Sequence, residues 1–464
     1  MLLYLLVTVS CIVVVLRENR NPIRSMAWVI ALITLPVVGL IFYFFFGRSM
    51  KGMRMLSRHN KRKLLHNRHN TRVDLESLPL TGNEKSLIKL STSLSHYPFV
   101  INNKIKVFTR GRDKFEALIK DLRNAGESIY FQYYIFTDDE IGRRISDILI
   151  SKAQEGLKVK VIYDNVGSFS TRNNFFKRMK DAGVDIHPFF RVTFPQLANR
   201  INWRNHRKIV IIDNRVGYIG GMNIADRYYR DSTVDGYWRD THFRVEGEIV
   251  DSLIFCFVVD WNFLKKEAVM LQEYYKGERM SNECGMQLVT SGPVENYDNI
   301  ALTFLKGISG ATKRIYIQTP YFLPTDSLLH ALEAAALAKI DVRIMIPRKT
   351  DSKLLEYASF SYVTQCLKAG IKVYLYEPGM LHSKMMLIDD GFATGGSTNF
   401  DFRSFENNFE CNIMVYNTEF NSRMREIFFE DLQHCKRLQL TSWRRRPVFH
   451  RVMESLVRLF SPIL

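Results

Sequence analysis

The sequence predicts an α/β fold in which one unit occurs twice. Each copy is expected to be a mixed sheet flanked by helices, with the active site at their interface and a transmembrane helix hairpin ahead of them. Three observations predict this. First, one stretch is repeated: His206-Arg-Lys208-Ile-Val-Ile-Ile-Asp213 continues to Gly220-Gly221-Met-Asn223, and His382-Ser-Lys384-Met-Met-Leu-Ile-Asp389 continues to Gly395-Gly396-Ser-Thr-Asn399. Lys falls at +2 from His, Asp at +7, Gly at +14 and Asn at +17 in both copies. Second, the surroundings repeat too: Ile129-Tyr-Phe-Gln132 matches Ile315-Tyr-Ile-Gln318, with 51 residues from Gln132 to Gly183 and 52 from Gln318 to Gly370. Third, two apolar runs open the chain.

The first run, Met1 to Leu16, is uncharged and interrupted only by Thr8 and Ser10. No basic segment precedes it and a second run follows at once, which argues against a cleaved signal peptide. The second, Met26 to Phe46, has the length of a membrane span, with Trp28 and Tyr43 suited to its interfaces. Residues 1–47 are therefore expected to form two transmembrane helices. Residues 48–63 carry seven Lys or Arg and no acid. By the positive-inside rule, Arg48 onward is expected on the cytoplasmic side of the membrane, with the protein multi-pass. Residues 48–101 read as a basic juxtamembrane linker and lead-in.

From Asn102, strand and helix patterns alternate. Ile105–Phe108, Ile129–Phe136 and Val159–Tyr163 are expected strands. Helices are expected near Asp113–Arg123, around Ile141, Ile145 and Leu149, and around Phe175, Phe176 and Met179. The order returns with strands at Ile315–Gln318, Val342–Ile346 and Ile371–Leu375, and helices around Leu328 and Leu332 and ending at Ala369-Gly370. The lobes are assigned to residues 102–274 and 285–440, with the break near Tyr275–Cys284. In the tail, residues 441–464, Val448, Val452, Leu456, Leu459 and Phe460 recur at helical spacing among arginines, which reads as a basic amphipathic segment suited to a membrane surface or docked on the body.

The formal net charge is +18. Segments 17–24, 48–63 and 441–464 supply thirteen of it, all beside apolar residues, so the excess points to an anionic membrane and not to a nucleic-acid groove. The six cysteines show no metal-ligand spacing and read as free thiols.

Residues i and i+2 of a strand share a face, so His206 and Lys208, like His382 and Lys384, are expected to point together. The Gly pairs and Asn223 or Asn399 are expected to form a tight turn that cradles an anion. Two such half-sites would supply a nucleophile, an acid–base group and fixed positive charge for phosphodiester transfer. The doubled motif resembles the phospholipase D superfamily. The Pro36-x-x-Gly39 run ending at Tyr43 and Gly47-Arg48, and the C-terminal ending, resemble bacterial cardiolipin synthases. The resemblance implies transfer of a phosphatidyl group between two phosphatidylglycerol molecules through a phosphohistidine, releasing glycerol. It names His206, Lys208, Asp213, His382, Lys384 and Asp389 as catalytic, with His206 as nucleophile. Asn223, Asn399, Gly221 and Gly396 are expected to bind phosphate. Asp240 and Glu410 are alternatives to Asp213 and Asp389 for orienting the imidazoles, and Arg227 and Arg403, each four residues after a motif Asn, are candidates for a second phosphate. No metal or cofactor is expected, and the partners expected are the membrane and its anionic phospholipid, not nucleic acid. A hydrolase, or a transferase using another alcohol, shares this motif. A nuclease would leave the apolar runs unexplained, and a non-catalytic scaffold would need a broken motif.

The halves differ at one place. Gly183 to His206 spans 23 residues, whereas Gly370 to His382 spans 12. The extra stretch, with Phe189, Phe190, Phe194, Leu197 and Trp203 among arginines, is expected to form either a lip dipping into the membrane or an ordinary loop on the body.

Overall fold

A computed structural model describes residues 2–17, 22–35, 37–47, 50–51, 55, 73–95, 97–191, 202–230, 237–265 and 284–461. Most of the basic stretch 48–63, the break before Cys284, and Phe194, Leu197 and Arg200 of the insertion lie outside them.

The N-terminal expectation is corrected. Leu2–Arg17 is a 16-residue helix, Pro22–Thr34 a 13-residue helix, and Val38–Phe42 a five-residue helix running into a π-helical turn at Tyr43–Gly47. No helix among the described residues is long and apolar enough to cross a membrane. The second run is cut at its middle: Pro36 has no backbone N–H to donate, and Val37 takes a φ of 66°. At 1.5 Å per residue, even the 16-residue helix extends only about 24 Å, against the roughly 30 Å of a bilayer core. The transmembrane hairpin, the multi-pass arrangement and the sidedness built on it are therefore not supported. Trp28 and Tyr43, assigned to membrane interfaces, instead pack edge to face with centroids 5.5 Å apart.

The duplication is carried by two sheets. The first lobe contains β1 (Asn103–Phe108), β2 (Ser128–Tyr133), β3 (Lys158–Asp164), β4 (Asp185–Phe189), β5 (Ile209–Ile212), β6 (Val216–Gly220), β7 (Tyr237–Arg239) and β8 (His242–Gly247). The second contains β9 (Gly285–Ser291), β10 (Arg314–Gln318), β11 (Phe322–Leu323), β12 (Asp341–Pro347), β13 (Lys372–Tyr376), β14 (Gly379–Leu381), β15 (Met385–Ile388), β16 (Phe392–Gly396), β17 (Phe400–Asp401), β18 (Glu410–Tyr416) and β19 (Cys435–Arg437). The first sheet runs β1-β8-β6-β5-β2-β3-β4, and the second β9-β18-β16-β15-β10-β12-β13, with β19 added at its edge. Each is mixed: β2, β3 and β4 are parallel, as are β10, β12 and β13, and the remaining neighbours are antiparallel. Even the register repeats, with Gln132 opposite Ile209 and Gln318 opposite Met385.

Part of the expected linker is a helix, Gly82–Leu94, started by a Thr81–Glu84 capping box. Its Leu87 and Ile88 are buried, and its Ser91 hydroxyl meets that of Thr303 in the second lobe at 3.4 Å. The helix Ile249–Lys265 is apolar on nearly every side, as a helix enclosed between layers must be. Ile249, Val250, residues 253–258 and Trp261 join Ile209 and Ile211 to Leu288 and Ile413 in one core shared by both lobes.

The lobes also meet through their backbones. β7 pairs with β14, and Asn205 bridges Phe409. Of the insertion, Phe189, Phe190 and Trp203 are buried in the shared core. These residues pack inward and do not form an exposed lip.

Candidate active site

The two inter-lobe pairings deliver the two histidines. The His206 N–H donates to the Phe409 carbonyl at 2.9 Å, and the His382 N–H to the Arg239 carbonyl at 2.7 Å. Each ring is thereby pinned to the opposite lobe. His206 Nδ1 lies 3.0 Å from Glu410 Oε1, 3.1 Å from Oε2 and 3.0 Å from the Ser397 carbonyl. His382 Nδ1 lies 2.6 Å from Asp240 Oδ2. The arrangement is crossed: the second lobe supplies the carboxylate for the first histidine, and the first lobe supplies it for the second. With Nδ1–H given to a carboxylate, each imidazole keeps Nε2 for chemistry.

Lys208 and Lys384 accompany the rings as the i, i+2 argument requires. Lys208 Nζ donates to the His206 carbonyl at 2.6 Å. Lys384 Nζ donates to the His382 carbonyl and lies 2.8 Å from His382 Nδ1. Nδ1 has a single site for a proton, and the closer, charge-assisted contact with Asp240 takes it.

Burial sets the electrostatics. The His206 and His382 residues are only 8% and 6% exposed. Desolvation pushes the His206 imidazole down to about 4 against the pull of Glu410, with Lys208 and Lys384 adding to the fall. His382 also falls to about 4, through burial and Lys384, opposed by Asp240. Burial lowers Lys208 to about 7 and Lys384 to about 8. For Glu410 and Asp240 burial acts upward, but the cationic and hydrogen-bonding neighbours outweigh it and hold both carboxyls below their usual range. The negative charge of a substrate phosphate shifts every one of these cationic groups toward the protonated form.

Asp213 and Asp389 are motif members but do not orient the rings. Asp213 accepts the N–H groups of Gly126, Glu127 and Ser128 at the head of β2. Asp389 accepts those of Thr312, Lys313 and Arg314 at the head of β10. Seven residues of extended chain place each Asp about 20 Å along from its His. Both sit at left-handed φ, 52° and 51°, in the turn after the strand.

The glycine expectation is also corrected. Gly220, Gly221, Gly395 and Gly396 are absent from the positive-φ residues, and Gly220 and Gly396 close strands β6 and β16. The Gly221 N–H is engaged by the Thr241 carbonyl at 2.9 Å. What demands glycine is close approach: a Cβ on Gly221 would strike the Asp240 carboxylate, and one on Gly396 the Cys411 carbonyl. Gly221 therefore leaves room for the group that holds His382.

The asparagines differ from each other. Asn223 accepts from the Ile135 N–H at 3.2 Å and donates to the Tyr228 hydroxyl at 3.0 Å. Asn399 keeps its side-chain oxygen buried without a partner, while its N–H donates to Ser404 Oγ at 3.2 Å.

Sequence reasoning missed the aromatic walls. Tyr134 packs edge-on to His206 at 4.8 Å, with Lys208 Nζ 5.2 Å from the Tyr134 ring. Tyr228 and Trp238 stand 5.6 and 5.4 Å from the His382 ring. It also missed a buried second layer. Arg207 pairs with Asp260 at 2.6 Å and Arg239 with Asp431 at 2.7 Å. Gln132 and Gln318 donate to the same aspartates at 2.6 and 2.8 Å. The matching glutamines were visible as a repeat; nothing in their spacing pointed to Asp260 or Asp431.

Two imidazoles on crossed carboxylates, each with its lysine, between duplicated lobes, define a two-histidine phosphodiester transferase of the phospholipase D type. Comparisons with known proteins narrow the class. Residues 118–234 and 304–432 match the family described as cardiolipin synthase, PLD-like domain. Residues 6–48 match the phospholipase D-nuclease N-terminal family. The chain is 38% identical to the major cardiolipin synthase ClsA of Bacillus subtilis (strain 168), across 100% of this chain and 98% of that protein. It is 38% identical to cardiolipin synthase 2 of Bacillus anthracis, across 97% and 89%. The crystal structure of phosphatidylserine synthase from Haemophilus influenzae Rd KW20 shares the fold, with a TM-score of 0.64 and 16% identity over 82% of this chain and 100% of that one. The chain belongs to the cardiolipin synthase family of phospholipase D-like enzymes. It is a phosphatidyltransferase with cardiolipin synthase activity, acting on phospholipid.

Proposed function

We propose that phosphatidylglycerol is both donor and acceptor, and that the phosphatidyl group passes through His206. In this reading His206 Nε2 attacks phosphorus, the bond from phosphorus to the glycerol oxygen breaks, and His382 Nε2 gives its proton to the departing glycerol. The acceptor hydroxyl then loses its proton to His382 as its oxygen attacks phosphorus, and the bond to His206 breaks to free cardiolipin. Lys208 and Lys384 stabilise the non-bridging oxygens. Glu410 and Asp240 orient the rings.

The observation that carries this reading is the crossed carboxylate pairing, because it lets each ring hold Nδ1–H and present Nε2. The shorter contact, at His382, suits the ring that must carry two protons. The rings titrate as a coupled group with the substrate phosphate, whose negative charge stabilises the imidazolium that burial disfavours.

The substrate lies in a bilayer, and the helix Val448–Arg458 with the residues that follow it offers a surface for one. Phe449 is 67% exposed and Leu459 75%, while Val457 and Glu454 face inward. The exposed Arg451 borders the apolar residues, as an anionic surface favours.

Purified protein given labelled phosphatidylglycerol is expected to yield cardiolipin and free glycerol. A phosphatidyl adduct, acid-labile, is expected to accumulate in His382→Ala and to be absent from His206→Ala. The opposite pattern would exchange the two roles, and phosphatidic acid as the sole product would make water the acceptor.

A further inference from the structure

Arg227 and Arg403 occupy matching places after the motif asparagines, but the structure separates them. Arg403 lies on the His206 side, where its charge acts on Tyr134 and Arg204. Arg227 lies on the His382 side. Its guanidinium carbon sits 4.8 Å from the Trp238 ring centre and 5.7 Å from that of Tyr228, the two rings that wall His382.

Arg227 makes no ion pair or side-chain hydrogen bond with the described residues, and its Nε is buried without a partner. Asp351, the acid whose charge also reaches Tyr228 and His382, is engaged by the Tyr321 hydroxyl at 2.5 Å. A half-buried guanidinium over two aromatic rings, yet paired with no carboxylate among the described residues, is a preorganised receptor for an anion.

We infer that Arg227 binds the phosphate that the acceptor lipid already carries, and so selects an anionic lipid alcohol over water or a neutral alcohol. The argument rests on the reading above, in which the acceptor hydroxyl is deprotonated at His382. An acceptor phosphatidylglycerol places its own phosphodiester one glycerol unit beyond the reacting hydroxyl. Arg227 stands one aromatic ring beyond His382, a separation that matches this displacement. The departing glycerol carries no such charge, so the first half of the reaction makes no call on this side chain. Arg227 is a specificity residue that leaves the bond-making steps to the two histidines.

The test uses the full chain in mixed micelles with labelled phosphatidylglycerol, following glycerol, cardiolipin and phosphatidic acid together. In Arg227→Gln the ratio of cardiolipin to phosphatidic acid is expected to fall roughly tenfold or more, the size of one lost charge-assisted contact. The burst of glycerol released in the first turnover is expected to change by less than about threefold, and Arg227→Lys to give an intermediate ratio. An unchanged ratio overturns the assignment. So does a matching loss of the first-turnover glycerol burst, which would put Arg227 in the chemistry or the fold. If the unmodified enzyme forms phosphatidic acid and no cardiolipin from this lipid, it is the acceptor reading that fails, a result distinct from either.

Discussion

At the scale of single residues, the carboxylates sort themselves by what their oxygens touch. Asp240 and Glu410 hold imidazole nitrogens, whereas Asp213 and Asp389 each hold three backbone N–H groups at a strand head. Asp240→Asn or Glu410→Gln removes the charge that supports the imidazolium, and turnover should drop by about a hundredfold or more with little change in thermal midpoint. Asp213→Asn should do the reverse. It costs about 1–3 kcal/mol of stability through lost acceptors, with turnover per folded molecule nearly kept. A collapse of turnover at unchanged melting temperature would return Asp213 to the chemistry. The histidines add a pH signature. Folded rings take up a proton only near pH 4, against an ordinary 6.5, so the unfolded chain binds more protons between those values. Their contribution is present above pH 6.5 and lost as pH falls towards 4. Melting curves from pH 7.5 to 4.5 should show a shallower acid loss in the His206→Gln/His382→Gln double variant, and identical slopes would contradict these shifts.

At the scale of elements, legibility followed burial. The short apolar strands β5 and β15, and the amphipathic helices Gly111–Arg123 and Glu140–Gln154, announce themselves by composition or by period. Strand β18 is buried at every position, as β5 and β15 are, but it opens with Glu410, Cys411 and Asn412, so neither alternation nor an unbroken apolar run reveals it. The helix Ile249–Lys265 is enclosed between lobes and has no polar face to set its period. The C-terminal helix kept its pattern, because one face docks on the helix Lys353–Ala369 while the other stays open. Arg458 donates to Gln365 at 3.1 Å across that contact. Serine at Phe449 and Leu459 should weaken sedimentation with anionic vesicles and leave the melting temperature unchanged, since both side chains are mostly exposed. Unaltered vesicle binding would remove this surface from the lipid-facing side.

At the scale of the whole molecule, the two lobes do not behave as separable halves. They share a core, exchange the carboxylates that hold the two imidazoles, and are tied by Arg239 of the first lobe to Asp431 of the second. That pair is buried and bidentate, so Arg239→Met strands a desolvated carboxylate, at a cost of roughly 3–5 kcal/mol. Denaturant unfolding of the unmodified chain should show the two sheets melting in one transition, with Arg239→Met shifting its midpoint downward. Two resolved transitions in the unmodified chain, or no shift in the variant, would deny the coupling.

By itself the sequence determined the doubled α/β unit, the two His–Lys pairs and the family, because residue type, order and spacing are written along the chain. The tertiary structure decided which carboxylate serves which ring. Glu410 stands 204 residues from His206 and Asp240 stands 142 from His382, separations across which spacing carries no direction. It moved Asp213 and Asp389 to strand heads, since seven residues of extended chain carry them away from the rings. It also cut the expected second span, because apolarity sets a helix's preferred surroundings, whereas its length depends on an unbroken run of backbone hydrogen bonds.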